Sequence, residues 1–108
     1  LIGTGAPFGD RVYRDYYMEL KKISKLTAGV RRLGAASLDL AYVASGKIDG
    51  FWEKDLNLWD VCAGVLLVKE AGGRISEPHG DNWTTKSRDI LASNTLVHDK
   101  LIENLTLL

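Results

Sequence analysis

One apolar segment, Trp59 to Val68, constrains the fold of this chain more than any other feature. It continues to Gly72-Gly73, a pair typical of a helix C-terminus. The pattern predicts a helix over residues 58–71, and its apolar character predicts that this helix is buried. Asp60 places a carboxylate in the first turn of that helix. Because a buried charge requires a hydrogen-bonding cap, an opposite charge or a cation, the partner of Asp60 becomes the central question.

Composition excludes several classes of function. A length of 108 residues, with 45% hydrophobic and 26% charged residues, predicts one soluble globular domain. The 14 basic and 14 acidic residues give no net charge, so we expect neither direct nucleic-acid binding nor attachment to a membrane. The single cysteine, Cys62, is expected to be a small buried hydrophobe in a reducing compartment. No signal peptide is evident, so a cytoplasmic location is expected.

The order of elements predicts an α/β fold. Local patterns predict strands and helices in the order β-α-β-α-β-α-β-β-α. Alternation of strands and helices favours a mostly parallel sheet with helices on both faces. The last two strands follow each other without a helix, which allows one antiparallel strand. The predicted strands cover residues 1–5, 30–33, 48–53, 74–77 and 90–92. The predicted helices cover residues 15–26, 35–45, 58–71 and 95–107, the last capped by Asn94 or Thr95, and Pro7 to Gly9 form a predicted loop.

Three of these strands lead into helices at one edge of the sheet, where open α/β sheets bind ligands. Gly34, Ala35 and Ala36 open one helix without bulky side chains. They are suited to expose backbone N–H groups to an anion, or are small to allow close packing. Glu53 ends a strand and Asp60 opens the next helix. Their carboxylates are suited to a hard cation or to hydroxyl groups, although a helix cap and a solvated strand end are the simpler interpretations.

The same residues carry a resemblance to a known family. Trp59-Asp60-Val61-Cys62-Ala63-Gly64, followed by Glu70-Ala71-Gly72-Gly73, resembles the second signature of the inositol monophosphatase family. The segments Arg31 to Gly46 and Asp49 to Glu53 resemble the bacterial branch of that family. The resemblance covers nearly the whole chain but only the C-terminal part of the family's fold.

The resemblance implies a Mg²⁺-dependent phosphatase that acts on inositol monophosphate or a similar sugar phosphate ester and is inhibited by lithium. It implies that Asp60 is a catalytic metal ligand near the attacked phosphate, and that Glu53 binds a substrate hydroxyl. It also implies that Gly34, Ala35 and Ala36 contact the substrate ring, largely through their backbone. The family often has Thr at the position of Ala35, so a side-chain contact is not expected there. Lys54 and Asp55, between the two acids, are expected to form a surface turn.

Other metal-binding segments of the family do not occur in this sequence. These are a Glu-Glu pair and an Asp-Pro-x-Asp-Gly-Thr segment, and Asp49-Gly50 cannot replace them. We therefore expect residues 1–108 to form the C-terminal domain of a longer protein, without the N-terminal metal-binding part and inactive alone. A homodimer is expected for the intact protein. The alternatives are a sister phosphatase for nucleotides or sugar phosphates, and a protein-binding module in bacterial RNA metabolism or transcription.

Overall fold

The computed structural model describes residues 1–5 and 10–106, with side chains for residues 1–5 and 16–106. The predicted loop at Pro7 to Gly9 lies outside the described residues. Five strands and four helices follow the predicted order within this part of the chain. The strands are β1 (Ile2–Thr4), β2 (Val30–Arg31), β3 (Gly50–Glu53), β4 (Arg74–Ser76) and β5 (Ile90–Ser93). The helices are α1 (Asp10–Leu26), α2 (Ala36–Ala44), α3 (Leu58–Glu70) and α4 (His98–Leu105).

The five strands form one mixed sheet in the order β2-β1-β3-β5-β4. Strand β1 pairs in parallel with both β2 and β3. Strand β5 is antiparallel to both of its neighbours, β3 and β4. The expected fold class, a mostly parallel sheet with one antiparallel strand, is confirmed. The reversal occurs because β4 and β5 are joined without the crossover helix that parallel strands require.

Helices cover both faces of the sheet. Helices α2 and α3 pack together over one face, around a core that contains Leu40, Phe51 and Val68. Helices α1 and α4 pack over the other face, around Ile23 and Trp52. Phe51 and Trp52 are adjacent in β3, and both are fully buried because successive side chains of a strand point to opposite faces. No helix of the described residues is long and apolar enough to cross a membrane.

Only one side of α3 is buried in this chain, so the prediction of a buried helix holds for that side alone. Val61, Val65 and Val68 pack inward, whereas the side chains of Trp59 and Leu66 are 77% and 59% exposed. Cys62 is also exposed, contrary to expectation, because it lies one position away from the buried side of the helix. Helix α3 therefore carries an apolar outer face, formed by Trp59, Cys62, Ala63, Leu66 and Leu67.

Several predicted boundaries shift by a few residues. Helix α4 begins at His98 rather than Thr95, because Thr95 has a left-handed backbone with a φ of 80°. Neither Asn94 nor Thr95 is its N-cap, a position that Val97 occupies. Helix α1 begins at Asp10, five residues earlier than predicted. These shifts leave the order and packing of the elements unchanged.

Candidate functional site

A cleft of about 500 Å³ lies at the carboxyl ends of β1, β2 and β3. Helices α2 and α3 begin at this cleft, and their first turns form part of its wall. The cleft is lined by all five predicted site residues, namely Gly34, Ala35, Ala36, Glu53 and Asp60. The fold thus brings together side chains and backbone that are up to 26 positions apart, from 34 to 60.

Asp60 is the third residue of α3, and its carboxylate caps the helix. Asn57 precedes the helix in an extended conformation. The N–H of Asn57 donates a hydrogen bond to Oδ2 of Asp60 at 3.1 Å, and the N–H of Asp60 donates to the carbonyl of Asn57 at 3.0 Å. The capping interpretation is therefore correct for one carboxylate oxygen, although Asn57 occupies the N-cap position. No ion pair to Asp60 is present among the described residues.

Glu53 ends β3 as a half-buried carboxylate. Burial raises the pKa of Glu53 to about 7, and the negative charges of Asp39 and Asp60 add to this effect. Arg32 acts in the opposite direction but does not cancel it. Glu53 is therefore a half-buried carboxylate that lines the cleft, which differs from the simpler interpretation of a solvated strand end.

The start of α2 presents backbone N–H groups to the cleft. Ala35 is an extended N-cap residue whose side chain makes no capping hydrogen bond. The first N–H groups of a helix have no partner within the helix, so those of Ala36 and Ser37 are available to a ligand. Close packing does not explain the glycine at position 34, since a Cβ there would meet nothing within 4 Å. The φ of Gly34 is +90°, a conformation that favours glycine, and this explains the residue. Ala36 is 9% exposed and belongs to the core, so packing does explain that small residue.

Residues that were not predicted to be site residues also line or support the cleft. Arg32, Ser37 and Trp59 line it directly. Asp39 lies behind it in α2, where it is 1% exposed and its Oδ1 has no hydrogen-bond partner among the described residues. Burial raises the pKa of Asp39 to about 7. An acidic residue within the apolar stretch Leu38 to Val43 was the sequence signal for this position.

The expected surface turn at Lys54 is wrong. The Lys54 side chain is only 13% exposed, and its Nζ lies 2.5 Å from Oε2 of Glu19, which is fully buried. The indole N–H of Trp52 donates to the other oxygen of Glu19 at 3.1 Å. Asp55 is exposed as expected and pairs with Arg88 at 2.7 Å. Lys54 therefore anchors the end of β3 to α1, next to Glu53.

The carboxylates of the cleft are of the type that Mg²⁺ prefers, because it binds hard oxygen ligands. However, no group of three or more His, Cys, Asp or Glu side chains within residues 1–5 and 16–106 could hold a metal ion. These residues fit a metal in ligand type but not in number, so this cleft could contribute one corner of a metal site.

Comparison with known proteins identifies the family. The sequence profile of the inositol monophosphatase family matches residues 9–106. This chain belongs to the inositol monophosphatase family. It is 47% identical over 107 residues to an inositol-1-monophosphatase of Caulobacter vibrioides, covering 97% of this chain and 42% of that protein. It is 49% identical over 98 residues to the Nus factor SuhB of Pseudomonas aeruginosa, covering 88% of this chain and 36% of that protein.

Solved structures of the family share this fold. The extragenic suppressor protein suhB from Bartonella henselae superposes with a TM-score of 0.91 at 42% identity, over 97% of this chain and 40% of that one. The inositol monophosphatase from Anabaena gives 0.86 at 40% identity, over 96% of this chain and 42% of that one. The chain thus spans about two fifths of the length of these inositol monophosphatase relatives.

Proposed function

We propose that this chain is the C-terminal part of a Mg²⁺-dependent phosphatase that hydrolyses inositol monophosphate or a similar sugar phosphate ester. The observation that supports this most directly is the single cleft that holds Asp60, Glu53 and the start of α2. A metal-binding carboxylate, a hydroxyl acceptor and free N–H groups are the three functions needed for a polyhydroxylated phosphate ester. Relatives named as inositol-1-monophosphatases support the same assignment.

Asp60 is the proposed metal ligand and catalytic residue. Its Oδ2 is held by the N–H of Asn57, which fixes the carboxylate at the mouth of the cleft. A bound Mg²⁺ would activate a water and stabilise the charge of the leaving oxygen. The remaining ligands would come from an N-terminal part outside this chain. We therefore propose that residues 1–108 are a C-terminal domain and are inactive alone.

Glu53 and the start of α2 are the proposed substrate-binding groups. An ionised Glu53 would accept a hydrogen bond from a substrate hydroxyl. The N–H groups of Ala36 and Ser37 would donate to ring oxygens, with Gly34 and Ala35 leaving room for the ring. Sister phosphatases that act on nucleotides or other sugar phosphates would use the same groups, and the cleft does not distinguish them.

The central test is Asp60→Asn in the full-length protein, with phosphate release from inositol monophosphate as the readout. We expect a loss of activity on the order of 100-fold or more, equivalent to about 3 kcal/mol in the barrier. The change is isosteric but removes the charge that a cation requires. Asp81→Asn is a matched control, since Asp81 is an exposed loop residue that does not line the cleft. Activity retained by Asp60→Asn would contradict the assignment.

A second candidate is a protein-binding function in bacterial transcription or RNA metabolism. It is favoured by relatives named Nus factor SuhB, which reach 49% identity. A net charge of zero argues for contacts with protein rather than with RNA. A partner that is retained equally by wild-type protein and Asp60→Asn would support this function independently of catalysis. We also propose that the intact protein is cytoplasmic and forms a homodimer. Sedimentation of the full-length protein would test the dimer.

A further inference from the structure

Two glycines of the first strand segment lie directly beneath carboxylates. Gly3 and Gly5 alternate with Thr4 and so face the same side of the sheet. A Cβ on Gly3 would come within 2.5 Å of Oδ1 of Asp39. A Cβ on Gly5 would come within 2.0 Å of Oε1 of Glu53. Neither glycine has a positive φ, so the space above it, rather than its backbone conformation, accounts for the missing side chain.

The contact at Gly5 involves the whole carboxylate of Glu53. A Cβ there would lie 2.2 Å from Cδ and 2.8 Å from Oε2, in addition to the contact with Oε1. The register explains this closeness, because Thr4 pairs with Trp52 and the next residues, Gly5 and Glu53, are therefore neighbours. No hydrogen bond from the described residues holds the Glu53 carboxylate. The carboxylate occupies the space that a side chain at position 5 would fill.

We propose that Gly5 is a positioning residue for Glu53: because Gly5 has no side chain, the Glu53 carboxylate can lie against the backbone that follows β1 and face the cleft. The inference rests on the proposed function insofar as Glu53 binds a substrate hydroxyl. Gly5 itself lines the cleft and offers no side-chain chemistry. Its role is steric, and it acts through Glu53.

Gly5→Ala separates this role from a structural one. The three heavy atoms nearest to the added methyl all belong to the end of the flexible Glu53 side chain, so Glu53 can move aside without disrupting the core. We expect the melting temperatures of Gly5→Ala and wild-type protein to lie within about 3 °C of each other, because the displaced side chain lies at the cleft and not in the core. Displacing a binding group by about 1 Å can cost up to about 100-fold in rate, and we expect kcat/KM to fall about tenfold through a higher KM.

A double-mutant cycle in the full-length protein provides the decisive readout. If Gly5 acts through Glu53, Gly5→Ala should have no further effect on KM in a Glu53→Ala background. Gly29→Ala is the matched control, since a Cβ there would meet the end of the Arg31 side chain at 2.7 Å, away from the cleft. This control should leave KM unchanged.

The outcomes distinguish the inference from the function on which it rests. An unchanged KM in Glu53→Ala would overturn the substrate-binding role of Glu53 and the inference with it. A raised KM in Glu53→Ala with an unchanged KM in Gly5→Ala would overturn the inference alone. An equal increase in KM on Gly5→Ala in the wild-type and Glu53→Ala backgrounds would also overturn the inference. A large fall in the melting temperature of Gly5→Ala would overturn the inference as well, because it would mean that Glu53 had not moved aside.

Discussion

At the scale of single residues, Asp39 is the least expected feature of the chain. It is a buried carboxylate whose Oδ1 has no hydrogen-bond partner among the described residues, and no ion pair to it is present there. Such a group is costly when ionised, which is why burial raises its pKa from 3.8 to about 7. Residues that are kept at a cost to stability commonly lie at functional sites, and Asp39 lies behind Glu53 and raises its pKa.

Asp39→Asn should therefore stabilise the protein, and more so at higher pH. The pKa of Asp39 is raised in the folded state. The stability that the neutral carboxyl contributes is therefore fully present below about pH 4 and is lost as the pH rises to about 7. The isosteric amide removes this loss. We expect a gain on the order of 2–4 kcal/mol at pH 8 and little difference near pH 4. Denaturant unfolding at both values measures the difference, with Asp81→Asn as a control. A difference that does not grow with pH would contradict this prediction.

At the scale of elements, His98 joins β4, β5 and α4 through a directed chain of hydrogen bonds. The N–H of Thr95 donates to Oγ of Ser93, and Oγ of Ser93 lies 2.7 Å from Nδ1 of His98, which accepts from the Ser93 hydroxyl when the ring proton is on Nε2. The Ser76 hydroxyl donates to the carbonyl of Glu77, so Ser76 accepts from Nε2 of His98 at 2.8 Å. The neutral ring with its proton on Nε2 satisfies every partner.

Protonation of His98 should therefore loosen this junction. Burial, and then the charge of Arg74, lower the pKa of His98 from 6.5 to about 4, while Asp99 acts in the opposite direction. The stability that His98 contributes is thus present above about pH 6.5 and is lost as pH falls towards 4. The full effect is on the order of 3 kcal/mol.

The measurement compares His98→Asn with wild-type protein in denaturant unfolding between pH 4 and 7. The variant should be less stable at pH 7, but it should lose less stability than wild-type protein as the pH falls. His79→Asn is the matched control, because His79 is exposed in the loop between β4 and β5. An equal loss of stability on acidification in all three proteins would contradict a role for His98.

The order of elements could be predicted because each one carries its own local pattern. Gly29, Gly34, Gly46 and Gly72 mark the ends of elements, and apolar spacing identifies the helices. The reversal of β5 was left open because its direction depends on a helix-free connection. The start of α4 was missed because the left-handed backbone at Thr95 overrides the usual preference of threonine for a cap. Local sequence cannot reveal such a conformation.

The sequence predicted that five candidate residues share one edge of the sheet, but it predicted neither their environments nor the presence of Arg32 and Ser37 beside them. Sequence alone placed Glu53, Asp60 and Gly34 at one edge, and the structure brings them into one cleft. It could not show that Lys54 turns to the opposite face to meet Glu19, since that pair joins residues 35 positions apart in sequence. The sequence also could not show that residue 34 is glycine because of its positive φ, whereas residue 36 is small because it packs in the core.

At the scale of the whole molecule, the two helical layers differ in character. Helices α1 and α4 are amphipathic, as expected for an outer layer, and their exposed side chains include Lys21, Lys22, Asp99 and Lys100. Helix α3 is apolar on both sides, as expected for a helix that is covered on both sides. The chain spans about two fifths of its inositol monophosphatase relatives. We propose that the apolar outer face of α3 is an interior surface in the full-length protein.

Leu66→Ala in the full-length protein tests this proposal. Leu66 is 59% exposed here, and truncation of a leucine at an exposed site should change the free energy of unfolding by less than about 0.5 kcal/mol. If the rest of the protein covers α3, the same truncation should cost about 2–4 kcal/mol, as in a core. Leu96→Ala is the matched control, because Leu96 is 89% exposed and lies on the short connection before α4. Equal and small effects of the two substitutions would mean that α3 remains on the surface.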